Sequence, residues 1–241
     1  MTAMLRWLSA ILAACVFSAI LTFVVPGSAA GQTIPTVKLS EGDTLAFGNA
    51  VATGVTSDGS AWYFVHSPLK GKVFVYRLDA SNVWGQTQVL SVDVGVITAG
   101  GIFTFNKTLA SDGDYLVVGE PAASGFGGFR IFTWNGASWN LSYIRASASS
   151  GLRGASVDIR RGRIAVGVPE GPNLGGTVEI YNTSGTLLQT LVTRSSLGDG
   201  ERFGTCVALD TNRLVVGAPY YGDRVGRVYA FKWNGSQFAY E

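Results

Sequence analysis

The 241-residue chain carries 18 basic and 16 acidic side chains, a formal charge of +2, and only 14% of its residues are charged while 47% are hydrophobic. That balance gives no electrostatic case for nucleic-acid binding, which rests on clustered Lys and Arg. One histidine and two cysteines are too few for a zinc centre or a disulfide framework.

Residues 1–30 have the form of an export signal: Arg6, an apolar run over residues 7–25, the helix-breaking pair Pro26-Gly27, then the small residues Ser28-Ala29-Ala30 that signal peptidase requires. The apolar run is nearly as long as the roughly 20 residues a spanning helix needs, so an uncleaved anchor is the alternative to cleavage. Leu12-Ala13-Ala14-Cys15 has the outline of a lipoprotein box, but residues 16–25 stay apolar where a lipidated terminus turns polar. Loss of this segment removes Arg6 and Cys15, which leaves the charges balanced to within one group and Cys206 without an intrachain partner.

Residues 31–46 hold a short strand, Pro35-Thr36-Val37-Lys38-Leu39, and a connector. From residue 47 one unit recurs. His66-Ser67-Pro68 is followed by Gly119-Glu120-Pro121, Gly167-Val168-Pro169 and Gly217-Ala218-Pro219, and the aromatic that closes the third strand falls at Tyr76, Phe132, Tyr181 and Phe231. Both markers step by about 50 residues, a period that signals solenoids or propeller blades. The last copy shows the unit most plainly. Residues 203–209, 213–216 and 227–232 alternate or run β-branched, and Asn234-Gly235 is a hairpin signal that places a fourth strand near Gln237. Residues 187–192 are an outermost strand of the same kind. Arg160-Arg161-Gly162-Arg163, the one tight basic cluster, occupies a hairpin turn and is expected in solvent. Cys206 lies on a first strand and is expected as a small buried thiol near the axis.

Phe203-Gly204 followed by Gly217-Ala218-Pro219, with Asp112-Gly113-Asp114-Tyr115-Leu116-Val117-Val118-Gly119-Glu120-Pro121 upstream, resembles the FG-GAP repeat of integrin α-subunit propellers, in its short, calcium-free bacterial form. The resemblance covers about residues 45–241. It implies an all-β fold, a β-propeller of four-stranded antiparallel blades, with repeats at about 47–98, 99–150, 151–199 and 200–241 forming part of a ring of about seven blades. Two copies depart from the pattern: Phe47-Gly48 is intact, but the second has Phe105-Asn106 and the third Arg153-Gly154. Four blades as an open arc would expose two apolar terminal faces, so the chain is expected to be a segment of a longer protein, with four-blade closure or self-association as alternatives.

The chemistry expected is recognition rather than catalysis. The turns between first and second strands hold Asp58, Asp112, Asp114 and Asp210 without the carboxylate density calcium needs, so no metal and no cofactor is expected. His66 stands alone as a strand-end residue, and the carboxylate pairs Asp199 with Glu201 and Glu41 with Asp43 match in position and suit turn-capping connectors. A polysaccharide-acting enzyme using Asp199 or Glu201 is the alternative. The loops after the second strands, near 67–72, 121–128, 169–176 and 219–227, share one side, where integrin-like relatives contact ligands. Tyr220, Tyr221, Asp223 and Arg224 make the richest of them, and Phe126 is a further exposed aromatic. The expected partner is an extracellular protein or carbohydrate, met at the cell surface or in the medium, with membrane contact only through export or anchoring. Four Asn-X-Ser/Thr sequons, at Asn106, Asn140, Asn182 and Asn234, bear on function only in a eukaryotic secretory pathway.

Overall fold

Alternating side chains and turn-forming residues produce sixteen strands in the computed structural model, which describes residues 47–93, 107–121, 127–146, 151–171, 175–193 and 200–241. The strand expected at 35–39, Phe105-Asn106 and Phe126 lie outside the described residues. Four consecutive strands make each sheet, in simple antiparallel order. The first sheet is β1 (Ala50–Val55), β2 (Ala61–Ser67), β3 (Lys72–Leu78) and β4 (Trp84–Ser91); the second is β5 (Leu109–Asp112), β6 (Tyr115–Glu120), β7 (Gly128–Trp134) and β8 (Trp139–Ala146). The third is β9 (Val157–Arg160), β10 (Arg163–Val168), β11 (Thr177–Asn182) and β12 (Leu187–Val192), and the fourth β13 (Cys206–Leu209), β14 (Arg213–Ala218), β15 (Arg227–Trp233) and β16 (Phe238–Tyr240). All belong to one unit, Gly42–Glu241. The fold is all-β, and the sheets are propeller blades.

The turns explain the regularity. The hairpins between third and fourth strands are each closed by one side chain that accepts from main-chain N–H groups two to four residues ahead: Asp79, Asn135, Asn182 and Asn234. Such Asx turns fix where the outer strand begins. In the first three blades that strand carries a bulge beside the closing aromatic, between Val75 and Tyr76, Ile131 and Phe132, and Ile180 and Tyr181, which adds twist.

Each sheet is apolar on both faces and buries them only against neighbours. Trp62, Phe64, Val73 and Val75 of the first sheet meet Leu116, Val118, Phe132, Trp134 and Trp139 of the second. Val117, Phe129 and Ile131 meet Val157, Ile159, Ile164, Val166 and Tyr181. Val178 and Ile180 meet Val207, Leu214, Val216, Tyr229 and Phe231. The first strands pack in chain order, β1 on β5, β5 on β9 and β9 on β13.

Two polar devices reinforce these joints. At the outer edge, the Gln88 amide donates to the Trp139 carbonyl and accepts from its N–H, at 2.7 and 2.9 Å. Gln189 does the same to Phe238, at 2.8 Å both ways. Near the first strands, Lys107 Nζ pairs with Asp158 at 2.8 Å and also donates to the Val207 carbonyl, so one ammonium links three blades.

The sequence reading that the glycine of the Gly-X-Pro motif permits an unusual backbone is corrected at Gly119 and Gly167, which have no left-handed φ and serve close approach. A Cβ on Gly119 or Gly167 would run into the carbonyl oxygen of Gly154 or Gly204, the glycine that opens the next blade. Those opening glycines are the left-handed ones, with φ of 83° at Gly48, 88° at Gly154 and 91° at Gly204. The departure at Arg153 is also explained. In the first and fourth blades the opening aromatic packs edge-on against a ring of β3 or β15, Phe47 on Phe74 at 5.3 Å and Phe203 on Tyr229 at 5.2 Å. Arg153 instead makes a bidentate pair with Glu179, at 2.8 Å for both bonds, where the fourth blade has Tyr229.

Candidate functional site

The loop from β14 to β15 brings Tyr220, Tyr221, Asp223 and Arg224 together. Pro219 lacks an N–H and ends the ladder after Ala218. The Tyr220 N–H then donates to the Glu201 carbonyl at 3.2 Å, and Val225 and Gly226 N–H groups close the turn onto Gly222 and Tyr221 carbonyls at 3.1 and 3.0 Å. Within it Gly222, Asp223 and Arg224 are all left-handed, with φ of 54°, 54° and 71°. Glycine adopts this freely and aspartate tolerates it, but an arginine there costs on the order of 1 kcal/mol.

Three guanidinium groups surround the two tyrosines. Arg202 lies 4.4 Å and Arg224 5.7 Å from the Tyr220 ring centre, and Arg227 lies 3.5 Å from that of Tyr221. Arg202 is anchored by Glu170 at 2.9 Å. A cleft of about 470 Å³ opens between Gly200, Tyr220, Gly222, Asp223 and Arg224. Below it, Glu201 is 1% exposed and accepts from the Tyr229 hydroxyl at 2.8 Å. Burial, and then this bond, push the Tyr229 phenol up to about 12. The arrangement offers flat aromatic faces beside cationic donors, which can hold a sugar ring, a carboxylate or a protein side chain.

Arg202 and Arg227 escaped the sequence reading. Arg202 precedes the opening Phe-Gly and Arg227 begins β15, and only folding sets them on either side of residues 220–221. Glu201, expected as a turn-capping connector, is buried with its carboxylate on the Tyr229 hydroxyl. Its companion Asp199, the pair Glu41 and Asp43, and Phe126 lie outside the described residues.

The other sequence candidates lie in the blades and their turns. His66 is 3% exposed, with Nδ1 at 3.0 Å from Thr108 Oγ1 and Nε2 lacking a hydrogen-bond partner among the described residues; burial holds it down at about 4. The turn aspartates are engaged. Asp58 accepts from Thr56, Ser60 and the Trp134 indole, the Thr56 hydroxyl first among the groups holding it well below the usual carboxylate range. Asp114 accepts from the Ser57 N–H, and Asp112 from Arg160 and the Arg161 N–H. Among the described residues no three metal-ligating side chains cluster. Residues 160–163 do form the β9–β10 turn, yet they are more than solvated charge: Arg163 stacks 4.4 Å over the Trp233 ring. Cys206 contradicts expectation outright, since its thiol is exposed.

Residues 190–231 match the FG-GAP repeat family. The chain carries an FG-GAP repeat. Its matched span begins within β12 of the third blade and ends within β15 of the fourth, so the FG-GAP unit includes the joint between two blades and the whole candidate loop. No curated protein matches the sequence. Among solved structures, a putative 6-phosphogluconolactonase from Bacteroides uniformis ATCC 8492 is 9% identical with a TM-score of 0.49, over 78% of this chain and 52% of that one. Saccharomyces cerevisiae Sqt1 is 12% identical with a TM-score of 0.49, over 78% of this chain and 49% of that one. The chain thus spans about half the length of either, and likeness of this extent bears on neither activity nor ligand.

Proposed function

We propose that this chain is an exported FG-GAP propeller module that binds an extracellular protein or carbohydrate through the loop at residues 219–226, without turning it over. The observation that carries the reading is the pair Tyr220 and Tyr221 set among Arg202, Arg224 and Arg227 on a left-handed turn beside an open cleft. Strain of this kind persists where surrounding structure over-determines it, and it gathers at binding sites. Tyrosine and arginine are also the side chains richest in interface energy. The signal-like residues 1–30 support an extracytoplasmic setting. The burial of Glu201 speaks against its serving as an acid or base for polysaccharide cleavage.

The test is a screen of the full chain against glycan and extracellular-matrix protein arrays, followed by titration of any ligand found. Replacing Tyr220 and Tyr221 together by alanine should weaken binding at least about 30-fold, the equivalent of about 2 kcal/mol. Undiminished affinity in the double variant would remove the loop from the proposal.

A further inference from the structure

Where opposite charges meet at the loop ends of the blades, they pair off: Arg130 with Glu120 at 2.6 Å, Arg153 with Glu179 at 2.8 Å and Arg202 with Glu170 at 2.9 Å. The loop between β14 and β15 departs from this. Asp223 and Arg224 are neighbours in sequence, both are exposed, and both stand on the wall of the cleft of about 470 Å³. No ion pair joins them, and neither charged group makes an ion pair or a hydrogen bond with any other described residue. Arg224 has only the Tyr220 ring, 5.7 Å away.

A ligand suited to this wall must answer both charges, with acceptors for a guanidinium and donors for a carboxylate. The remaining lining narrows its chemistry. Gly200 and Gly222 leave the wall without side chains, and a Cβ built on Gly222 meets nothing within 4 Å, so a thin ring can lie along it. Tyr220, 37% exposed, offers a flat face. Among the described residues no aliphatic side chain lines the cleft. A protein partner needs a desolvated apolar centre to its contact, which this wall does not provide, whereas a sugar brings hydroxyls and a ring face. The planar fork of Arg224 matches a carboxylate in two bonds at once. Asp223 repels an anion, so it confines that carboxylate to the Arg224 side and takes hydroxyl donors on its own.

Resting on the recognition role given to this loop, we propose that its ligand is an acidic carbohydrate: a hexuronate-bearing glycan whose carboxylate is taken by Arg224, whose hydroxyls donate to Asp223 and whose ring face lies on Tyr220. Arg202, already paired with Glu170, lies 4.4 Å from the Tyr220 ring centre and positions it rather than meeting the acid. Glu201 is buried on the Tyr229 hydroxyl. Arg227, exposed over Tyr221 and without an ion pair among the described residues, adds a second open guanidinium beside the cleft. The exposed, unpaired groups of the loop are therefore Arg224 and Arg227 against Asp223 alone.

The experiment is titration of the full chain with oligogalacturonate, oligomannuronate and hyaluronan, each beside its carboxyl-reduced form, and with oligoglutamate. At least one uronate should bind about tenfold or more tighter than its reduced form at low salt, and the advantage should shrink as ionic strength rises. Arg224→Gln should abolish that advantage while holding affinity for the reduced form within about threefold; Asp223→Asn should weaken both forms. Unchanged thermal melts separate lost contacts from lost fold, and the parent's own discrimination decides whatever the variants' stability. No uronate bound, equal affinity for acidic and reduced forms, a preference for oligoglutamate, or discrimination that survives Arg224→Gln each overturns the assignment. Where a protein or a neutral glycan is bound instead and the Tyr220 and Tyr221 double variant loses it, recognition by the loop stands and only the ligand class falls. Where no ligand of any kind responds to the tyrosines, both fall.

Discussion

His66 occupies the position at which the other three blades have Gly119, Gly167 and Gly217, and its burial has a thermodynamic consequence. The folded imidazole titrates near 4 against 6.5 in the unfolded chain, so on acidification the unfolded chain takes up the proton first. The stabilisation is complete above pH 6.5 and is lost as pH falls toward 4, a loss of about 3 kcal/mol at most. Urea unfolding measured from pH 7 to pH 4 should show that slope, and His66→Gln should flatten it. Arg153 and Glu179 make a second residue-scale case. Their side chains are 12% and 11% exposed, so Arg153→Phe alone strands a carboxylate and should cost about 3 kcal/mol. Adding Glu179→Tyr rebuilds the Phe203–Tyr229 contact in the third blade and should return stability to within about 1 kcal/mol of the parent. A double variant no better than the single would show that the two joints are not interchangeable.

Between elements, the decisive feature is how closely one blade's backbone approaches the next. Gly167→Ala forces β10 away from the Gly204 carbonyl and should cost about 2–3 kcal/mol. Gly217→Ala, at the same motif position with no blade against it, should change stability by less than about 0.5 kcal/mol in dilute solution. Thermal melts of the two variants check this, and equal shifts would mean that motif identity rather than neighbour contact sets the requirement. The glutamine clasps of Gln88 and Gln189 belong to the same scale: each side chain substitutes for a ladder partner at the buried start of an outer strand, serving both Trp139 or Phe238 main-chain groups at once.

For the whole unit, stability is shared between neighbours, because no blade can bury both faces alone. The second and third blades are covered on both sides, whereas Val51 and Val55 of the first and Val215 and Val228 of the fourth are exposed. Hydrogen exchange of the dilute chain should therefore rank β6 and β10 as the slowest strands, with β1 and β14 faster. Uniform protection across all four blades would indicate a single cooperative unit closed by contacts beyond those described.

The strands and their order were legible in the residues, since alternation and turn-forming residues are local properties that a 50-residue echo repeats four times, with Asn-Gly at two of the hairpins. The prediction for the fourth copy lands within three residues of β13, β14, β15 and β16 at each end where both are defined. The tyrosine loop was legible too, being a contiguous run of residue types suited to recognition. Arg202 and Arg227, the burial of His66 and Glu201, the exposed thiol of Cys206 and the purpose of Gly217 were not. Each depends on which blade, if any, lies against a given face, and that is set by packing between residues about 50 positions apart rather than by the pattern within any one copy.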